Sequence, residues 1–229
     1  MDPVGPSGQV IFSDVSEQLL EASRLLEQQL GVAERCRFVA AGAEDLAPMA
    51  DRSVDVVTTR SVLIYVSQKA QAFAEFFRVL RQDGRLAIHE PINRLMFPQP
   101  ASESLGYPVG AVQVLADKVK AAGEACDDRE SSMINFDDQD LLRLAEAAGF
   151  REIHLELRQQ IASYHAPMAW EACLSTSGNP LAPTNREMIT EALRPADRTR
   201  FEEHLRPAVE AGDMVRRLAV EDLWAEKKI

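Results

Sequence analysis

The chain has 229 residues, 46% hydrophobic and 27% charged, with a net charge of −11. That length supports a core of ordinary depth without disulfides or metals, which excludes a small stapled scaffold, and the composition excludes global disorder. The acidic balance repels phosphate backbones and no local basic patch offsets it, so nucleic acid is not an expected partner. Cys36, Cys126 and Cys173 are widely spaced and odd in number, which argues against a disulfide framework or a zinc site; no metal is expected. A reducing cytoplasm suits them. The start of the chain carries no basic-then-apolar leader, and the longest apolar stretch, Val62 to Val66, is far too short to cross a bilayer, so no membrane role is expected.

Gly5-Pro6-Ser7-Gly8 is turn chemistry that leads into a short buried strand, Gln9 to Ser13. Ser16 is placed to cap a helix whose Leu19, Ala22, Leu26 and Leu30 share one face before Gly31 stops it. Arg37 to Ala40 and Val54 to Thr58 read as further strands. A helix from about Ser67 carries Phe73, Phe76, Phe77 and Leu80 at core spacing, and Gln82-Asp83-Gly84 turns it into a strand from Arg85 to His89. Proline and glycine then loosen the pattern around Pro98, Pro100, Gly106, Pro108 and Gly110, ahead of a helical stretch from Val112 to Ala122. Asp137 or Asp138 caps a helix carrying Leu141, Leu142 and Leu144, and Arg151 to Leu157 alternates as a strand. A mainly helical stretch punctuated by Pro180, Pro183, Pro195 and Pro207 follows, and Val215 to Trp224 reads as either a final strand or a helix, with the strand favoured.

Strands alternating with amphipathic helices predict an α/β fold with a doubly wound, mostly parallel sheet. The chain reads as one domain, with core 8–94, 136–160 and 213–226; helical inserts at 95–135 and 161–212 form a cap. In such sheets the ligand lies beyond the carboxyl ends of the strands. Asp14 stands at the first of these ends, where a carboxylate can accept both hydroxyls of a ribose or can simply cap the next helix. Gly42-Ala43-Glu44 follows the second strand, Thr59-Arg60-Ser61 the third, and Glu90-Pro91-Ile92-Asn93-Arg94 the fourth.

Four segments in order, Gln9-Val-Ile-Phe-Ser-Asp-Val-Ser, Ala41-Gly-Ala-Glu-Asp-Leu, Ser53-Val-Asp-Val-Val-Thr-Thr-Arg-Ser-Val-Leu and Phe77-Arg-Val-Leu-Arg-Gln-Asp-Gly-Arg-Leu-Ala-Ile-His-Glu-Pro, resemble class I S-adenosylmethionine-dependent methyltransferases. The resemblance covers about residues 8 to 94, with a weaker echo from Asp137 to Leu157. It implies S-adenosyl-L-methionine as cofactor, Asp14 on its ribose, Val15 on the adenine, Ala43 and Glu44 at the adenine edge, and Thr59 or Arg60 near the methionine part. Gly42 stands where many relatives have an aspartate for the adenine amino group, so that contact passes to Glu44 or is lost. Relatives also place a strand and a glycine-rich loop ahead of the Asp14 strand, in mid-sheet between the strands ending at Asp14 and Thr58. Neither is present in this sequence. The Met1-Asp2-Pro3-Val4 start reads like the tail of a preceding crossover, which ranks a longer gene above a degenerate relative or some other element filling the gap. The stretch as it stands is expected to bind the cofactor weakly or not at all.

The family's reaction is an in-line attack on a sulfonium methyl, and a hydroxyl or protonated amine acceptor needs a base. Glu90 and His89 are the candidate catalytic residues by location, and His165 by type; Glu90 either serves as the base or caps structure, and His89 either serves as the base or simply ends a strand. Arg60 and Arg94 either anchor an acidic substrate or pair with nearby acids. Tyr164, Met168 and Trp170 either line an apolar acceptor pocket or make hydrophobic cap contacts, and the acidic 127–130 run reads as a solvated loop. A small-molecule acceptor and a second copy of the chain are the expected partners. The alternative function is a non-catalytic remnant of the fold that acts through a partner chain at its exposed middle strands.

Overall fold

The computed structural model describes residues 4–96, 99–126, 132–178 and 182–228. The acidic 127–130 run, Pro98 and Pro180 lie outside the described residues. Contacts divide the chain into two compact units: Met1–Glu90 with Asp138–Glu156 and Asp222–Ile229, and Pro91–Asp137 with Leu157–Glu221. No described helix is long and apolar enough to cross a membrane.

The first unit opens with β1 (Val10–Asp14), α1 (Glu17–Gln29) and β2 (Cys36–Ala40), and β1 and β2 pair in parallel from Val10↔Cys36 to Asp14↔Ala40. Phe12 stacks on Phe38 with ring centroids 5.2 Å apart. Ser16 caps α1 by accepting the Leu19 N–H, as its position predicts. The expected apolar face of α1 is not covered: Leu20 is the buried leucine, while Leu19, Leu26 and Leu30 are more than half exposed.

β3 (Val54–Arg60) pairs in parallel with β4 (Leu80–Pro91), separated by α2 (Lys69–Val79). The expected turn at Gln82-Asp83-Gly84 is taken up inside β4. Val54 pairs with Leu80 and Val56 already with Arg85, and Asp83 adopts φ 60°, so the extra residues form a bulge. The helix α4 (Asp138–Ala148) packs on α2, where Phe73, Phe76, Leu141 and Phe150 are buried almost completely. Phe77 meets Phe150 edge to face at 5.1 Å and carries the Lys227 ammonium 4.4 Å above its ring. The strand expected at Arg151–Leu157 runs on to His165 as β7 (Arg151–His165), and the final strand is β8 (Asp213–Glu226). The strand order is β3-β4-β8-β7. The Asp83 N–H donates to the Lys227 carbonyl and the Ile92 N–H to the Ala219 carbonyl, so β8 runs antiparallel to β4. The α/β alternation is as expected; β1 and β2 form one sheet and β3, β4, β8 and β7 another. Among the described residues β1 and β3 are each paired along one side only, and Val56 in β3 is 57% exposed.

The second unit holds a short antiparallel pair, β5 (Glu103–Ser104) and β6 (Tyr107–Pro108), and the helices α3 (Gln113–Cys126), α5 (Trp170–Leu174), α6 (Asn185–Ala192) and α7 (Pro195–Ala211). Its core gathers Val109, Ala116, Trp170, Ile189, Phe201, Leu205 and Val209. Thr184 and Glu187 form a reciprocal capping box on α6. Gly212 closes α7 in the left-handed conformation at φ 76°; a Cβ there would lie 2.4 Å from the Pro167 nitrogen.

Candidate active site

Where β1 and β2 end, their loops are tied together. The Ala41 N–H donates to the Asp14 carbonyl and Ser13 Oγ donates to the Ala41 carbonyl at 2.8 Å. Asp14 Oδ1 accepts the Ser16 N–H at 2.8 Å, so this carboxylate orders the turn into α1 and is only half-buried. Its second oxygen has acceptor capacity to spare. A Cβ on Gly42 would lie 2.9 Å from Glu44 Oε2 and 3.5 Å from Val15 Cγ1, so the bare backbone of Gly42 is approached closely by an acid and a valine. Val15 is 79% exposed, an apolar surface without a protein partner over most of its area. Asp14, Val15, Gly42, Ala43 and Glu44 thus come together as one group.

A second group forms where β3 and β4 end. Arg60 is exposed and stands opposite His89 in the parallel register, while Thr59 Oγ1 is buried without a hydrogen-bond partner. Ser61 turns the chain at φ 53° and donates its N–H to the His89 carbonyl at 2.8 Å. The next three amides converge on one acid. Glu90 is fully buried, and its carboxylate accepts the N–H groups of Val62, Leu63 and Ile64 at 2.8, 3.0 and 3.4 Å. Burial pushes the Glu90 carboxyl up, and the three amides and His89 pull it back. This corrects the expectation of Glu90 as an accessible base: its lone pairs are committed to the Leu63–Tyr65 3₁₀ turn, a capping role. Lys69 lies near it, donating to the Val66 carbonyl at 3.0 Å; burial lowers its ammonium to about 8 against the attraction of Glu90 and Asp140.

His89 has a partner that sequence spacing does not reveal. Its Nδ1 lies 2.7 Å from Asp222 Oδ1, on β8, and both side chains keep about a third of their surface exposed. A carboxylate only accepts, so neutral His89 donates through Nδ1 and keeps Nε2 as its basic nitrogen. Asp222 is the residue that sequence reasoning missed; 133 positions separate the two. His165 is exposed at the end of β7. Arg94 lies 3.5 Å from Asp137, as an ion pair. Trp170 is core in the second unit and Met168 and Tyr164 are exposed. Among the described residues there is no cluster of three or more His, Cys, Asp or Glu arranged to hold a metal.

Residues 2–88 match the profile of a methyltransferase domain. The ubiquinone/menaquinone biosynthesis C-methyltransferase UbiE of Stutzerimonas stutzeri is 32% identical over 154 residues, which are 66% of this chain and 58% of that protein. The UbiE protein of Pseudomonas entomophila is 41% identical over 96 residues, 41% of this chain and 37% of that protein. The chain thus spans less than two thirds of these relatives. The YcgJ protein of Bacillus subtilis shares the fold over 96% of this chain and 83% of its own, at a TM-score of 0.54 and 18% identity. The chain is thus similar to methyltransferases over residues 2–88 in sequence, and the solved structures show a shared fold. The cyclase SpnF also shares the fold, at a TM-score of 0.50 and 19% identity, over 97% of this chain and 68% of its own. Fold alone therefore leaves the reaction to the residues of the site.

Proposed function

We propose that this chain binds S-adenosyl-L-methionine at the Asp14–Glu44 group and transfers its methyl to a small molecule, at a ring carbon activated by a neighbouring hydroxyl. The gathering of Val15 and Glu44 around Gly42, in the loop tied to Asp14, carries this reading. It offers an apolar wall and an acid for a purine, next to a carboxylate with a spare oxygen for ribose hydroxyls. Thr59 and Arg60 are assigned to the amino-acid end of the cofactor. When bound, the cofactor supplies an electrophilic methyl on a sulfonium. The C-methyltransferase names of the UbiE relatives support a carbon acceptor. His89 takes the acceptor proton on Nε2 while Asp222 holds its Nδ1–H.

Calorimetric titration with S-adenosylhomocysteine tests the cofactor site: weak but saturable binding, reduced severalfold further in Asp14→Ala, is expected, and equal affinities in both proteins would remove Asp14 from it. With methyl transfer to a quinol-type ring as readout, His89→Ala should reduce kcat by about 10²-fold or more, and Asp222→Asn should reduce it less while shifting the pH profile. A second reading, a non-catalytic chain that works through a partner, is supported by the half-paired β1 and β3 and by exposed Val56, Leu19 and Leu26. Failure to bind S-adenosylhomocysteine at any concentration would favour it.

A further inference from the structure

The turn that carries Ala43 and Glu44 is held at both ends. The Asp45 N–H donates to the Gly42 carbonyl at 3.1 Å, which makes Ala43 and Glu44 the central pair of a β-turn. Its entrance is tied to β1 through the bonds of Ala41 to Asp14 and Ser13. Its exit is tied to α2. Glu75 Oε2 accepts the Leu46 N–H at 2.7 Å, and Arg78 Nη2 donates to the Leu46 carbonyl at 2.9 Å. Both backbone polar groups of a residue just past Glu44 are thus taken by two side chains one helical turn apart.

The pair is built for that grip. Arg78 donates through Nε to Glu75 Oε1 at 2.7 Å and through Nη2 to Glu75 Oε2 at 2.8 Å. Its Nη1 reaches the Met49 carbonyl at 2.9 Å and Asp51 Oδ1 at 2.6 Å. With the Leu46 bond, these contacts occupy all five N–H groups of the guanidinium. Glu75 is buried, and its bonds from Arg78 hold its carboxyl below the ordinary range, so it stays an acceptor. Loop backbone without such partners bonds to water, which fixes no position. Glu44 is half-buried, and its carboxylate accepts from no described residue.

We infer that Glu75 and Arg78 are positioning residues for purine recognition: they fix the turn from which the Glu44 carboxylate accepts the exocyclic amino group of adenine. The inference rests on the reading of the Asp14–Glu44 group as the cofactor site, and adds that this site selects an amino group over a carbonyl. An ionised carboxylate only accepts hydrogen bonds, so it attracts the amino edge of adenine and repels the carbonyl edge of hypoxanthine. That choice depends on where the carboxylate stands relative to Asp14, and a displacement of about 1 Å is enough to lose it. The clamp on Leu46 acts on the turn's exit, and the bonds at Ala41 act on its entrance; together they set the span between the acid for the ribose and the acid for the base.

Titration of the whole chain with S-adenosylhomocysteine and with S-inosylhomocysteine, whose base carries a carbonyl in place of the amino group, tests this. The wild type should prefer the adenosyl compound by about tenfold or more. Arg78→Lys keeps the charge and loses the fork that holds Glu75, Leu46 and Met49 at once. It should weaken the adenosyl compound until the two affinities lie within about twofold of each other, with circular dichroism unchanged. A role in holding the fold alone lowers the melting temperature and leaves that ratio where it was. Should Arg78→Lys fail to fold, Glu75→Gln, which loses the charge facing the guanidinium, should narrow the ratio in the same direction. A preference that survives in the folded variant, or a wild type indifferent to the two bases, would overturn the proposal while leaving the cofactor reading in place. A wild type that binds neither compound would overturn both.

Discussion

Two acids close parallel strands in this chain, and their surroundings separate them. Glu90 at the end of β4 is fully buried and its carboxylate is spent on three backbone amides; Asp14 at the end of β1 is half-buried and uses one oxygen on one amide. Position in the sheet made both candidates for chemistry. The number of donors already aimed at each decides which has lone pairs left for a ligand. The same contrast holds between neighbours in the chain, since His89, one residue before Glu90, is partly exposed and held by a single acid.

The contrast is most easily broken at Glu90. Glu90→Ala leaves three amides without their acceptor at a buried turn, and a loss of about 3 kcal/mol in urea unfolding is expected. A loss below 1 kcal/mol would mean that the turn does not depend on the carboxylate. Asp14→Ala should do the opposite: a severalfold loss of S-adenosylhomocysteine affinity with about 1 kcal/mol or less of stability, because only the Ser16 amide loses a partner.

Lys69 sharpens the picture of the Glu90 surroundings. Its folded value of about 8 lies below the free-lysine 10.5, so between these values the unfolded chain holds a proton that the native chain has released. This group therefore adds stability as pH rises from 8 to 10.5 and leaves the native state with its full burden below 8. Unfolding of wild type and Lys69→Met should differ by roughly 1 kcal/mol more in favour of the variant at pH 7 than at pH 10. A difference independent of pH would refute the buried ammonium. The smallest effect is expected at Gly42→Ala. The new methyl displaces only the flexible end of Glu44, so stability should stay within about 0.5 kcal/mol while calorimetry reads weaker binding as the Glu44 carboxylate moves.

Local signals carried much of the fold. Ser16 caps α1, Phe73 and Phe76 enter the core, and the βα alternation through His89 needs only periodicity and turn residues within a few positions. Asp14 and Glu44 follow from the rule that ligands meet strand ends and Val15 from the family resemblance; Val15 and Glu44 gather around Gly42, and Asp14 is tied to the adjacent Ala41. Two things were not legible. Glu90's donors lie 26 to 28 positions away and His89's acid 133 away, distances over which a single sequence carries no pairing signal. The shared leucine face of α1 is the other case, because amphipathicity reports a face suited to burial and leaves open whether that face is covered.

Gly212 has a consequence for inheritance of the second unit. The helix before it stops in a conformation costly for any L side chain, and the space where one would begin is filled by the Ala166-Pro167 main chain, which has no rotamer with which to retreat. A deep mutational scan should find this codon nearly intolerant, with alanine and serine failing alongside bulkier replacements, while sites a few residues away on the exposed side of the same helix drift freely.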